Sequence, residues 1–106
     1  MKVLFDQGTP VPLRQSLEKH VVRTAYEMGW SALDNGALLE MAEKEFDVLV
    51  TTDQSIRFQQ NLVGRRLAIL VLPTTSWPRI QAHISQVTEA LDSMRAGSFV
   101  EITFTA

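Results

Sequence analysis

The sequence predicts one α/β domain: an open, mostly parallel sheet with helices on both faces. Two segments, residues 48–50 and 67–72, are continuously apolar, which is typical of strands buried on both faces. Strand-like segments alternate along the chain with segments whose apolar residues recur at helical spacing. A length of 106 residues, 45% of them hydrophobic, suits a single domain spanning residues 1–106. The core would be small, so a partner such as a second copy in a homodimer could extend it.

Local signals define the elements in the first half of the chain. A short apolar run stopped by Asp-Gln-Gly indicates a strand that ends in a turn, and Thr-Pro offers a helix N-cap followed by a first-turn proline. A glycine can close a helical turn, and an apolar stripe marks the next helix. In order, these signals predict a strand at 2–5, a short helix from Thr9 to Lys19, a weak strand at 21–24, one helical turn at 25–28 closed by Gly29, and a helix from Asn35 to Phe46.

The second half of the chain contains two buried strands, a long helix and an edge strand. Ser76-Trp77-Pro78 reads as a helix start, and Gly97 as the end of that helix. Residues 99–105 alternate between apolar and polar, as in a strand with one solvated side. The helical stripe that connects these two segments consists of Ile80, Ile84, Val87, Leu91 and Met94.

The predicted strand order is 2-1-3-4-5, because the two weaker strands belong at the edges of the sheet. With right-handed crossovers, strands 1 and 3 lie side by side at the point where the connections diverge to opposite faces. Open α/β sheets bind ligands at that crevice, beyond the carboxyl ends of the strands. Asp6 and Asp53 each follow one of these two strands, so we expect their carboxylates to meet there.

Composition narrows the classes of function. A net charge of −2 means that contact with nucleic acid needs a local basic patch or bound cations. The absence of cysteine excludes disulfides, thiolate zinc sites and cysteine nucleophiles. No apolar run approaches the ~18 residues of a membrane span, and the apolar run before Asp6 is short for a secretion signal. We therefore expect a soluble, cytoplasmic protein with no membrane partner.

Two neighbouring carboxylates predict a cation site. Asp6 and Asp53 would repel each other without a cation, and Mg²⁺ suits one or two carboxylates completed by water and phosphate oxygens. Glu40, one turn into the helix that leads to strand 3, offers a third carboxylate, and Glu43 a substitute for it. Such a cation can activate water and stabilise a phosphodiester during displacement.

Each of these acids also has a purely structural interpretation. Asp53 could cap the following helix, and Asp6 could bind the backbone of the turn at Gln7-Gly8. Glu40 could pair with Lys44 four residues on, for tenths of a kcal/mol. The convergence of two aspartates on one switch point favours a site over these alternatives.

Basic and amide side chains near Asp53 are candidates for substrate contacts. Arg57 and Arg65 could contact phosphate, and Gln54 could contact a base edge or order a loop. We expect Trp30 and Trp77 to be core or rim residues, although either could stack on a base. The remaining polar candidates in this segment are Gln59, Gln60, Asn61 and Arg66, and we expect His20 and His83 to be structural.

Four segments together resemble a known family. The segments FDQGTP, Asn35 to Glu43, DVLVTTDQ and QQNL are similar to those of small PIN-like proteins, short relatives of the VapC-type toxin nucleases. The resemblance runs from Lys2 to about Pro78, and VLVTTDQ is its most specific part. It implies a parallel sheet whose acidic residues bind Mg²⁺ or Mn²⁺ and cleave RNA.

The resemblance also implies roles for individual residues. Asp6 and Asp53 match metal ligands, and Glu40 best matches the helix carboxylate, so these three are the predicted catalytic and metal-binding residues. The function implied is a metal-dependent ribonuclease, the toxin of a toxin–antitoxin pair, with an antitoxin protein as partner. Where many PIN nucleases carry a fourth acid, this chain has Ser55 and no acid until Glu89.

The missing fourth acid and the acidic net charge favour a second reading, and the strand order raises a third, against which the sequence argues. A PIN-like module that binds a protein or RNA without cleaving it is the alternative function. A phosphoacceptor receiver also places aspartates after strands 1 and 3. It needs an amine after the last strand, and the lysines here stand only at positions 2, 19 and 44.

Overall fold

The computed structural model describes residues 1–59, 62 and 64–104, and within them five strands form one sheet in the order β2-β1-β3-β4-β5. All four neighbouring pairs are parallel, with Phe5 in register with Thr24 on one side and Val50 on the other. The predicted α/β class and strand order are therefore confirmed. The elements are β1 (Lys2–Phe5), a 3₁₀ helix (Val11–Ser16), β2 (Val21–Thr24), α1 (Asn35–Glu45), β3 (Val48–Thr51), α2 (Ile56–Gln59), β4 (Ala68–Val71), α3 (Trp77–Ala82), α4 (Ile84–Asp92) and β5 (Phe99–Glu101).

Alternation along the strands divides the core into two layers. Every residue of β3 and β4 is buried, as their continuous apolar runs predict. One set of strand side chains, including Phe5 and Val50, packs against the 3₁₀ helix, α3 and α4. The other set, including Leu4 and Leu49, packs against α1 and α2. Helices therefore cover both faces, and the carboxyl edge of the sheet lies between the two layers.

The helix layers also fix the hands of the connections. The chain crosses from β1 to β2 and from β4 to β5 in opposite directions, yet both crossovers use the face that holds the 3₁₀ helix, α3 and α4. Two crossovers on one face in opposite directions have opposite hands. The expectation that every crossover is right-handed is therefore wrong for one of them.

Two local predictions in the first half of the chain differ from the structure. The helix expected from Thr9 is a 3₁₀ helix that begins at Val11, and Pro10 precedes it without a side-chain cap. The hydroxyl of Thr9 instead lies 2.7 Å from Asp6 Oδ1 and 2.9 Å from the carbonyl oxygen of Val50. Residues 25–29 form hydrogen-bonded turns rather than one helical turn, and Gly29 closes them with a φ of 77°.

The long helix predicted to run up to Gly97 is broken at His83. Its ring Nδ1 lies 3.0 Å from the carbonyl oxygen of Arg79, four residues earlier, and its backbone N–H donates to Ile80 instead. A side chain that takes the i−4 carbonyl competes with the helical hydrogen bond. The ring also stacks on Phe104, with centroids 4.3 Å apart, which fixes the break against the end of the chain.

The last strand is shorter than predicted. It ends at Glu101, but Ile102 and Phe104 still pack on the same core layer as Val100, as the alternation predicts. Thr105, the last residue of the predicted strand, lies outside the described residues. No helix in the described part of the chain is long and apolar enough to cross a membrane.

Candidate functional site at the carboxyl edge of the sheet

Asp6 lies directly beyond β1, where its backbone is tied to the neighbouring strand. Its N–H donates to the carbonyl oxygen of Val50, at 3.1 Å. Its carboxylate Oδ1 accepts from the backbone N–H of Thr9 at 3.1 Å and from the Thr9 hydroxyl at 2.7 Å. Oδ2 accepts from the hydroxyl of Thr51. The side chain is therefore held in one orientation from both sides.

Asp53 lies two residues beyond β3 and is held equally firmly. Oδ1 accepts from the backbone N–H and from the hydroxyl of Ser55, both at 2.9 Å. Oδ2 accepts from the side-chain amide of Asn35, the first residue of α1. Side chains from α1 and from the turn before α2 thus converge on this one carboxylate.

Thr51 connects the two aspartates. Its hydroxyl donates to Asp6 Oδ2 and accepts from the backbone N–H of Asp53 at 3.0 Å, and the residue is only 1% exposed. Thr51 is the last residue of β3, so it lies at the carboxyl edge of the sheet. The side chains of its neighbours Val50 and Thr52 point to the opposite face of the sheet. Asp6 and Asp53 therefore lie on either side of one buried hydroxyl at the predicted switch point.

Hydrogen bonding keeps Asp53 ionised. The backbone N–H of Ser55 lowers its pKa below the ordinary value of 3.8, and the Ser55 hydroxyl and the Asn35 amide act in the same direction, against the effect of burial. A carboxylate with a lowered pKa is a poor proton acceptor at neutral pH but a good ligand for a cation.

The structural roles considered for the two acids are partly visible. Asp53 binds the N–H of Ser55 just before α2, as a residue at a helix start does. Asp6 binds Thr9 rather than the backbone at Gln7-Gly8. These contacts do not exhaust either carboxylate, because each Oδ2 accepts one hydrogen bond and retains a further lone pair. The pair thus has the oxygen donors that a hydrated Mg²⁺ or Mn²⁺ ion prefers.

Glu40 is not brought to this pair, because α1 presents a different face to the sheet. At about 100° per residue, Asn35 lies within about 60° of the buried residues Leu38, Leu39 and Ala42, whereas Glu40 lies at least about 100° from each of them. Glu40 is accordingly exposed. Among residues 1–59, 62 and 64–104, no group of three or more His, Cys, Asp or Glu side chains could hold a metal ion.

Glu43, near the other end of α1, binds backbone N–H groups and not the aspartate pair. Its carboxylate accepts from the backbone N–H groups of Arg66 at 2.8 Å and Leu67 at 2.9 Å, just before β4 begins. The helix runs antiparallel to the strands, so its last turn lies at the amino edge of the sheet. Glu43 therefore fixes the entry of β4 and is not a substitute for Glu40.

The three predicted substrate residues are distributed over both edges. Arg57 pairs with Glu101, with Nη1 and Oε1 2.7 Å apart, and half of its side chain is exposed. Gln54 donates from Nε2 to the carbonyl oxygens of Leu72 and Thr52, which ties the ends of β3 and β4 together. Arg65 precedes β4 and so lies at the amino edge, because a parallel strand begins at the edge opposite to the one where its neighbour ends.

Sequence reasoning missed Asn35 and Thr51 as partners of the acids. The helical spacing of Asn35 from Leu38 and Leu39 is the signal that could have identified it, and for Thr51 the signal is its position at the end of a buried strand. Trp30 and Trp77 pack against the two core layers, as expected for core or rim residues. Gln60 and Asn61 of the QQNL segment lie outside the described residues.

Comparison with known proteins adds no assignment to this site. No protein-family model, curated protein or solved structure matches the chain significantly. The geometry of the carboxyl edge is therefore the basis for assigning a function.

Proposed function

We propose that this protein is a cation-dependent ribonuclease of the PIN-like type, with its site at Asp6, Thr51 and Asp53. The observation that carries the proposal is the single buried hydroxyl that links the two aspartates at the carboxyl edge. Open parallel sheets bind ligands at this edge, beside the strands where the connections diverge. RNA as substrate and the role of toxin with a protein antitoxin are supported by the resemblance of the sequence motifs, and a cytoplasmic location stays the expectation from the composition of the sequence.

The carboxylates of Asp6 and Asp53 would hold one Mg²⁺ or Mn²⁺ ion. When bound, this ion would supply an activated water and neutralise charge on the phosphodiester. The chain's own contribution is orientation: Thr9 and Thr51 fix the carboxylate of Asp6, and Ser55 fixes that of Asp53. Preorganised ligands lower the cost of assembling the reacting groups.

Asp53 serves this function as an ionised ligand, because its lowered pKa keeps it deprotonated at neutral pH. Asn35 supports it by donating a hydrogen bond without adding charge. Arg57 on α2 is the candidate for a phosphate contact, and it would leave Glu101 to bind the substrate. Such an exchange costs little, because exposed ion pairs contribute about 0–1 kcal/mol.

A second candidate function is a PIN-like module that binds RNA or a protein without cleaving it. The observation that favours it is the number of internal contacts: each aspartate already accepts three hydrogen bonds within the chain. A site satisfied in this way is stable without a ligand. The two candidates differ in whether a cation binds at the pair.

Cleavage of single-stranded RNA tests the proposed activity. Purified protein is incubated with labelled RNA in Mg²⁺, in Mn²⁺ and in EDTA, and Asp6→Asn and Asp53→Asn are compared with the wild type. Both substitutions preserve shape, and the threonine and asparagine partners can reverse their hydrogen bonds. We expect cation-dependent cleavage that both substitutions abolish. Cleavage by both variants at the wild-type rate refutes the proposal.

Asp47→Asn is the matched control for these variants. Asp47 accepts a hydrogen bond from the backbone N–H of Lys2 at 2.8 Å, at the amino edge of the sheet, so it loses a comparable charge far from the site. The cleavage rate of this variant should equal that of the wild type.

Melting temperatures in EDTA and in millimolar Mn²⁺ separate the two candidate functions, because a cation that binds only the folded state stabilises it. The binding module predicts no such stabilisation.

A further inference from the structure

Tyr26 is an exposed aromatic residue on a rigid turn. Its side chain is 79% exposed, and it stands two residues beyond β2, at the same edge of the sheet as Asp6. The turn is nevertheless fixed: the N–H of Ala25 donates to the carbonyl oxygen of Phe5, and that of Trp30 donates to Ala25, both at 2.8 Å. The ring is thus presented to solvent by backbone that is already ordered.

Glu27 fixes the same turn from the other side. Its carboxylate accepts from the backbone N–H of Thr24 at 2.9 Å and from two nitrogens of Arg14, at 2.7 and 3.2 Å. Arg14 belongs to the 3₁₀ helix, so the turn is tied to the element that covers one face of the sheet. An aromatic side chain with only two rotatable bonds on such a turn loses little entropy when a ligand stacks on it.

A cavity of about 160 Å³ joins Tyr26 to Asp6. It is smaller than the roughly 300–1,000 Å³ pockets that enclose whole small molecules, so it suits one ring of an extended ligand. Most of the residues around it have side chains that can form hydrogen bonds, and the full lining consists of Asp6, Gln7, Thr9, Val11, Thr24 and Tyr26.

We propose that this cavity is a subsite for one unpaired base of single-stranded RNA, which stacks on the ring of Tyr26 while the adjoining phosphate lies at the cation that Asp6 and Asp53 would hold. This inference rests on the proposed ribonuclease function and adds a position for the substrate. Base stacking on aromatic rings is the usual way in which proteins hold single strands, and it tolerates any base. A base is uncharged, so the carboxylate of Asp6 does not repel it as it would a phosphate.

The carboxylate in the lining favours a base over an apolar side chain of a partner protein. Protein interfaces are depleted of charged residues at their centre, whereas Asp6 lines this cavity. A stable protein interface also needs roughly 800 Å² on each partner, far more than one ring and its cavity provide. Gln7, which is exposed, can donate to or accept from a base edge.

Fluorescence anisotropy with a labelled oligouridine of about ten nucleotides tests the subsite, a length within the usual range for single-strand sites. The buffer contains Ca²⁺ in place of Mg²⁺ or Mn²⁺, so that a cation offsets the charge of the two carboxylates, and a gel verifies that the RNA stays uncut. We expect Tyr26→Ala to weaken binding about tenfold, the effect of one lost base stack, and Tyr26→Phe to bind like the wild type. Val21→Ala, an exposed apolar residue at the start of β2, is the control and should not change binding.

Three results would overturn the subsite. The first is equal binding by the wild type and Tyr26→Ala, including no binding by either. The second is a loss in Tyr26→Phe as large as in Tyr26→Ala, since the stacking face is retained in the former. The third is a dimer of the wild type, seen by sedimentation, that Tyr26→Ala dissociates, because the ring then belongs to a protein interface. Circular dichroism verifies that each variant is folded.

Cleavage measurements separate this inference from the proposed function. Weaker binding in Tyr26→Ala without cleavage by any variant leaves the subsite standing and rejects the ribonuclease. Cleavage that depends on Asp53 but proceeds with equal kcat/KM in Tyr26→Ala leaves the ribonuclease standing and rejects the subsite.

Discussion

The side-chain amide of Asn35 donates a hydrogen bond to Oδ2 of Asp53, so the first turn of α1 is tied to the loop that follows β3. Helix α1 thus reaches the candidate site through an amide at its first residue. The carboxylate of Glu40 points to solvent from the next turn. The site has two negative charges and one neutral donor where three carboxylates were expected.

Replacing Asn35 by aspartate should convert this arrangement into a three-acid site. Without a cation, the new carboxylate repels Asp53, and the loss of a hydrogen bond to a charged group at a partly exposed position costs about 1 kcal/mol or more. With Mn²⁺, the extra ligand should give a larger rise in melting temperature than in the wild type. Thermal unfolding in EDTA and in Mn²⁺ measures both effects. Asn35→Ala loses the bond without adding charge. It should therefore be less stable than the wild type, and its melting temperature should rise no more in Mn²⁺ than that of the wild type.

Removing the hydroxyl of Thr51 should destabilise the protein. Thr51→Val leaves the backbone N–H of Asp53 and one oxygen of Asp6 without this partner in a part-buried position, at a cost of about 1–2 kcal/mol. Urea unfolding measures the change in the free energy of unfolding. Thr51→Ser keeps the hydroxyl and should lose much less stability. If Val and Ser variants are equally stable, the hydroxyl does not hold the two aspartates.

Gly8 is required because the Thr52 side chain occupies the space where a Cβ would stand. A methyl group on Gly8 would clash with Thr52 Oγ1, so Gly8→Ala must displace the residue between Thr51 and Asp53. Overpacking of this kind costs about 1–3 kcal/mol. The double variant Gly8→Ala/Thr52→Ala removes the clashing atom, and should be more stable than the sum of the two single changes predicts. Strictly additive unfolding free energies would contradict this explanation.

Stability should depend on pH through Glu27. Hydrogen bonds from Arg14, and then from the backbone of Thr24, lower the pKa of Glu27 from 4.5 to about 2. Because the folded-state pKa is depressed, the stabilisation is fully present above pH 4.5 and is lost as the pH falls towards 2. We therefore expect Glu27→Gln to be less stable than the wild type at neutral pH, with a difference that shrinks through this window. A difference in unfolding free energy that is constant with pH would show that the charge of Glu27 has no role.

Breaking the ion pair between Arg57 and Glu101 should affect RNA cleavage more than stability. Both side chains are partly exposed, so Glu101→Gln should change the free energy of unfolding by less than about 1 kcal/mol. If Arg57 contacts phosphate, releasing it from Glu101 should raise kcat/KM by up to about fivefold, the equivalent of one exposed ion pair. Arg57→Ala should lower kcat/KM. Equal values in all three proteins would remove Arg57 from the site.

Apolar periodicity was sufficient to predict the architecture, because burial leaves a periodic signature in the order of the residues. Continuous apolar runs at 48–50 and 67–72 predict central strands, and the weaker signals at 21–24 and 99–105 predict edge strands, which together give the observed order of the sheet. That order places the ends of β1 and β3 side by side, so the neighbourhood of Asp6 and Asp53 followed from topology alone. Local pattern was also sufficient for α1, since its apolar stripe spans three turns.

Which side chains reach the aspartates depends on how the helices pack on the sheet. The packing of each element against the sheet sets the angle of Asn35 on α1, the inward direction of Thr51 and the position of Arg65 at the amino edge. The break at His83 has the same origin, because its ring binds a backbone carbonyl and stacks on a residue 21 positions away. Periodicity reports which residues are buried, but hydrogen-bond partners are chosen by distances between elements. Those distances are fixed only when the sheet and both helix layers have packed.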